Sequence, residues 1–164
     1  MKAIMNTPKS KFHAISKATV GIALLVLLSS CGKKVSEDWA AYQVAQDEVK
    51  QLMTAKMMAL GPKASKRDAT AAEFEALNKE LDAAQKEITD KVNTIKPETK
   101  VVQDYHATFT VFVSGALGPI KQTAQYFQDK NHVPSKKALE ERVEIQEKLK
   151  LAEKAVMNEL EKAK

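Results

Sequence analysis

The chain has 164 residues, 29% of them charged, with five glycines, five prolines, one cysteine and a formal net charge of +5. A single thiol excludes an internal disulfide, and a composition led by charged residues, Ala and Leu favours helices over a sandwich or barrel. The positive balance is local: Lys2, Lys9, Lys11 and Lys17 precede residue 31 with no acid among them, leaving 22 basic residues against 21 acidic ones in 31–164. That remainder lacks the basic field on which phosphate-backbone affinity depends, so no nucleic-acid partner is expected.

The four lysines are followed by the apolar run Ala18–Leu28 and then by Ser29, Ser30 and Cys31. A basic, an apolar and a small-residue region in that order have the form of a secretory signal. With about 11 apolar positions the run is too short for a bilayer core, which needs ~20. Leu28-Ser29-Ser30-Cys31 resembles the lipobox of bacterial lipoproteins. The resemblance implies cleavage between Ser30 and Cys31, a diacylglyceryl group on the Cys31 sulfur and a further acyl chain, such as palmitate, on the new amino group. Each buried methylene contributes about 0.8 kcal/mol, so two or three chains on one residue hold firmly to a membrane. Gly32 stands where the enterobacterial pattern places Asp in lipoproteins kept at the inner membrane. The resemblance therefore points to the outer membrane, facing the periplasm. Residues 1–30 read as signal peptide, 31–35 as a lipidated tether and 36–164 as one helical domain.

Ser36, followed by Glu37 and Asp38, reads as an N-cap with acids placed to complement the helix dipole. The spacing predicts a helix from there to Gly61-Pro62, with Trp39, Tyr42, Val49, Leu52, Met53, Met57 and Leu60 on one face. Thr70-Ala71-Ala72-Glu73 has the form of a capping box and starts a second helix. Its inner seam is Phe74, Leu77, Leu81, Ala84, Ile88, Val92 and Ile95. Its outer face offers Glu75–Lys79, Asp82–Lys86 and Glu87–Lys91 as i,i+4 pairs. Pro97 ends this helix and is placed to open the next at its first position.

From Tyr105 to Ile120 the sequence carries no formal charge, and Thr108–Val113 is β-branched and aromatic, a strand-like composition. Helix is nevertheless expected, because Val101, Val102, Tyr105, Phe109, Phe112, Val113 and Ala116 keep helical steps and no partner strand is visible. Gly115 and Gly118-Pro119 predict a kink or short break before Ile120–Phe127 continues as helix. Asn131–Pro134 reads as a turn and Ser135 as the cap of a last helix, whose apolar stripe is Leu139, Val143, Ile145, Leu149, Ala152, Val156 and Leu160. The expected fold is all-α, an antiparallel bundle of about four helices.

No catalytic constellation accompanies these elements. His106 and His132 lack metal-pair spacing, Ser114 lacks a nucleophile turn, and no phosphate-cradling glycine loop or haem motif is present, so no enzyme activity and no cofactor are expected. Two features remain open. Met53, Met57 and Met58 are either core fillers or a thioether site for copper. Tyr105, Phe109, Phe112, Gly115, Gly118 and Pro119 are either the most buried part of the bundle or a partner or ligand surface opened by the break. The expectation is a non-enzymatic interaction or structural protein, anchored to the membrane through Cys31 and partnered by an envelope protein. The alternative is a lipoprotein that binds a small ligand or a metal.

Overall fold

Apolar positions recurring every three and four residues are removed from water when helices pack side by side, and the chain is built that way. The computed structural model describes residues 17–129 and 136–162. Within them the helices are α1 (Lys17–Ala64), α2 (Ala71–Asn93), α3 (Lys100–Ser114), α4 (Gly118–Gln128) and α5 (Lys136–Lys162). No strand occurs among the described residues. α3 and α4 are two parts of one interrupted arm, so the fold is an all-α bundle of four arms. Lys56–Glu87, Lys63–Glu80 and Lys91–Glu48 ion pairs tie α1 to α2, and their numbering runs in opposite directions along the two helices. α3 packs most extensively on α5 and also meets α2 and α1.

α2 forms where its sequence requires. The Thr70 hydroxyl accepts the Glu73 N–H (3.3 Å) and the Glu73 carboxylate accepts the Thr70 N–H (2.8 Å), completing the capping box. Leu77, Leu81, Ala84, Ile88 and Val92 are buried along its inner seam, and Ile95 is buried just beyond the helix. They meet Val49 and Leu60 of α1, and Val102, Phe109 and Val113 of α3. Fully burying one such side chain contributes about 1.5–3 kcal/mol. The strand-like composition of α3 is accommodated inside the helix: Thr108, Thr110 and Ser114 donate their hydroxyls to the carbonyls of Asp104, His106 and Val111. The arm breaks at Gly115–Leu117 and resumes with Pro119 in the first turn of α4, as the glycines and proline predict.

Several expectations are corrected. α1 does not start at Ser36; it is continuous from Lys17, so residues 31–35 are helical. Nothing between Cys31 and Ser36 forces a break, and a helix already under way needs no cap there. At its other end α1 passes Gly61-Pro62 and stops at Ala64, because a proline in the last turn removes one donor only and Gly61 O still accepts the Ser65 N–H and hydroxyl. Pro97 does not open α3, which has Thr99 as N-cap. On α2 the pair Glu75–Lys79 forms, but Lys86 turns to Asp90, Asp82 to Lys121 of α4, Glu87 to Lys56 and Lys91 to Glu48. Asp82, Glu87 and Lys91 border neighbouring helices, where cation–carboxylate pairs form across the seam, while Lys86 pairs within α2. The turn Asn131–Pro134 and the cap Ser135 lie outside the described residues.

The acid expected to favour the start of α1 serves α3 instead. Asp38 accepts the N–H groups of Glu98 (3.0 Å) and Thr99 (2.8 Å) and the Thr99 hydroxyl (2.6 Å). Thr99 makes no side-chain cap of its own, so α1 supplies an acceptor at this helix entrance. Burial raises the Asp38 carboxyl pKa, but the Thr99 hydroxyl, the two N–H groups and Lys34 outweigh it and leave the pKa below its ordinary value. Asp38→Ala is expected to cost about 2 kcal/mol in denaturant unfolding, the scale of hydrogen bonds to a charged group. Because the folded-state pKa is the lower one, this contribution is present above pH ~4 and is lost as pH falls through the folded value. Asp38→Asn should remove that part of the acid dependence.

Candidate functional site

The polar centre of the bundle joins α1 to α3. Trp39, Tyr42, Tyr105 and Phe109 pack as a chain of stacked and edge-to-face rings, with His106 edge-on to Tyr42. Gln46 is buried among them and donates its amide to the Tyr105 hydroxyl (2.6 Å), while Lys50 donates to the other end of the same side chain (3.1 Å). The Tyr42 hydroxyl lies 3.2 Å from His106 Nδ1 and donates to it when the imidazole is neutral with its proton on Nε2. Burial, with Tyr105 alongside, raises the Tyr42 phenol pKa, and burial also raises that of Tyr105. Neither phenol is poised to act as a base near neutral pH. With its hydrogen bonds satisfied, this cluster serves packing.

The sequence-predicted residues divide accordingly. Tyr105 and Phe109 are core; Phe112 is half-buried against it; Gly115 and Pro119 are exposed at the break and Gly118 lies between these extremes. Met53 and Met57 pack on the core, whereas Met58 is 74% exposed, so the three thioethers occupy different environments. Among the described residues no group of three or more His, Cys, Asp or Glu side chains could hold a metal. Cys31 falls within α1, with Ser30 before it. His132 lies outside the described residues. No helix among the described residues is long and apolar enough to cross a membrane.

Two features that sequence reading did not isolate stand at the surface. The first is an exposed apolar face on α5. Leu139 and Val143, one helical turn apart, are 65% and 49% exposed, and Leu151 is 67% exposed. Periodicity marked Leu139 and Val143 as inward positions, but the break at Gly115–Leu117 sends α4 against α1 and α2 and away from α5. The charges on one side of Leu139 and Val143 pair within α5, as Lys136–Glu140, Lys137–Glu141 and Glu144–Lys148, and Leu151 lies further along the helix and about 120° round it.

The second feature is a cleft of about 320 Å³ where α4 meets the end of α1 and the start of α2. Ala64, Ala69, Phe74, Leu77, Ala124 and Phe127 supply its apolar surface. Lys66 and Glu73 pair across its mouth (2.7 Å). The Lys66 hydrogen bond, and then those from the Thr70 N–H and hydroxyl, bring the Glu73 carboxyl down to about 2. The Arg67 guanidinium sits 5.9 Å from the centre of the Phe127 ring. The sequence signals were Gly118-Pro119, where the arm breaks before α4, and the cations Lys63, Lys66 and Arg67 between α1 and α2. No local pattern shows that Phe127 and Phe74 line one cleft.

No protein family, curated protein or solved structure matches the chain. The site's chemistry therefore has to be argued from its own residues. For His106, burial and then the charge of Lys96 hold the imidazole below its ordinary value. The folded chain thus favours the neutral ring, and the unfolded chain takes up the proton at higher pH. Stability is expected to be level above pH ~7 and to fall as pH drops below ~6.5, measured by unfolding at stepped pH. His106→Phe should flatten that interval.

Proposed function

We propose that the chain is a lipid-anchored protein of the bacterial envelope that works by binding another envelope protein, without catalysis. The observation that carries this reading is the exposed apolar pair Leu139 and Val143 on one face of α5, beside charges that pair within the same helix. An apolar face rimmed by polar groups suits docking of a complementary apolar surface, and aliphatic contacts there contribute through area removed from water. The lipobox resemblance at Leu28–Cys31 supports the anchor. A rigid α1 then matters mechanically: at 1.5 Å rise per residue, the stretch from Cys31 to Ala64 carries the far end of the bundle about 50 Å from the lipidated residue. A durable anchor combined with a long rigid reach fits an adaptor or tether in the envelope.

A photoreactive amino acid replacing Leu139 or Val143 in cells is expected to capture one recurring envelope protein. The same probe at Val44, 66% exposed on α1, should not capture it. Leu139→Asp should lower capture at Val143 at least tenfold, and Val143→Asp should do the same for capture at Leu139. Each exposed substitution should leave unfolding stability within about 0.5 kcal/mol. Equal labelling from Val44 and α5, or none from α5, would sink the docking reading. Separately, Cys31→Ala should abolish lipid attachment and leave the signal uncut, read as a mass shift and a change in membrane fractionation. Normal processing of that variant would overturn the anchor.

A further inference from the structure

We propose that the cleft between α1, α2 and α4 binds a small carboxylate with an apolar body, an aryl or short alkyl acid. This goes beyond the docking reading and uses a different part of the molecule. The wall chemistry selects the body: Phe74, Leu77, Ala124 and Phe127 present rings and aliphatic carbon, and a volume of about 320 Å³ is at the small end for a ligand site. That space suits one ring with a short chain. The protein's own acyl chains are an unsuitable occupant. Cys31 lies about 50 Å away along α1, whereas an acyl chain covers about half of a ~30 Å hydrocarbon core.

The mouth selects the charge. Lys63 and Lys66 line it, each paired with a lining glutamate, and Arg67, outside the lining, lies 5.9 Å from the centre of the Phe127 ring that forms one wall. Glu80 pairs with Lys63. Glu73 accepts from the Thr70 N–H and hydroxyl as well as from Lys66, so it stays hydrogen-bonded if Lys66 turns to an incoming carboxylate. Arg67 has no carboxylate within ion-pair distance among the described residues; its one recorded contact is the Phe127 ring. A guanidinium beside the aromatic wall, with no paired carboxylate among the described residues, has donors to turn toward a carboxylate whose apolar body lies against that wall.

The test uses the full chain in lipid nanodiscs, with empty nanodiscs as the partition control. Phenylbutanoate is the probe, phenylbutanol its neutral counterpart, and binding is read by saturation-transfer NMR and calorimetry. Phenylbutanoate is expected to bind at least tenfold more tightly than the alcohol, and Arg67→Gln to weaken it about tenfold, as for loss of one charge-assisted hydrogen bond. Ala76→Trp, at an exposed position lining the cleft, should block binding while far-ultraviolet circular dichroism stays unchanged. Three outcomes would overturn the proposal: no binding above the empty discs, equal affinity for acid and alcohol, or affinity unaltered by both substitutions.

Discussion

The arrangement of the whole molecule depends on how one interruption is held. At Gly115–Leu117 the third arm stops being helical and exposes backbone groups that need partners. Gln85 of α2 meets them with both ends of its amide, donating to Val113 O (3.0 Å) and accepting the Leu117 N–H (3.3 Å). This side chain binds the last carbonyls of α3 and the entry to α4 to the same point on α2. α4 consequently packs over α1 and α2. From that placement follow both the cleft under Phe127 and the bare strip on α5. Glycines and a proline permit a break, but its direction comes from a side chain in another helix.

Asp38 repeats the logic at the other end of α3. In each case a polar side chain of one helix completes the backbone hydrogen bonding of another, across 60 or 61 residues for Asp38 and 28 or 32 for Gln85. Such links do more for specificity than the surface ion pairs do. Most of the salt bridges join exposed groups, where solvent screening leaves about 0–1 kcal/mol each. The caps and the buried Gln46–Tyr105 bond instead penalise any register in which a polar group loses its partner away from water.

The two surface features differ in chemistry from the bundle's core. The aromatic chain from Trp39 to Phe109 contains the most chemically suggestive residues, yet its hydroxyls and amide are spent on one another. The proposed binding surfaces use plainer residues, Leu139 and Val143 on α5, and Phe127 with Arg67 near the cleft. They stand out through position: an aliphatic side chain becomes a recognition element when the helix that would have covered it packs elsewhere.

The sequence by itself determined the elements whose causes lie within a few residues. The capping box at Thr70 and Glu73, the buried seam Leu77–Val92 of α2, the break after Ser114 and the all-helical class each follow from contacts one or two turns long. It misjudged Ser36 because a good cap motif does not start a helix that is already running. It also misassigned the partners of Asp82 and Glu87, because i,i+4 spacing only makes a pair available while a cation on a neighbouring helix competes for it. The tertiary structure alone decided which helix end Asp38 caps, which way α4 turns, and which face of α5 stays bare. Those outcomes depend on groups far apart in the chain, brought together only when the apolar seams pack, and no local periodicity encodes them.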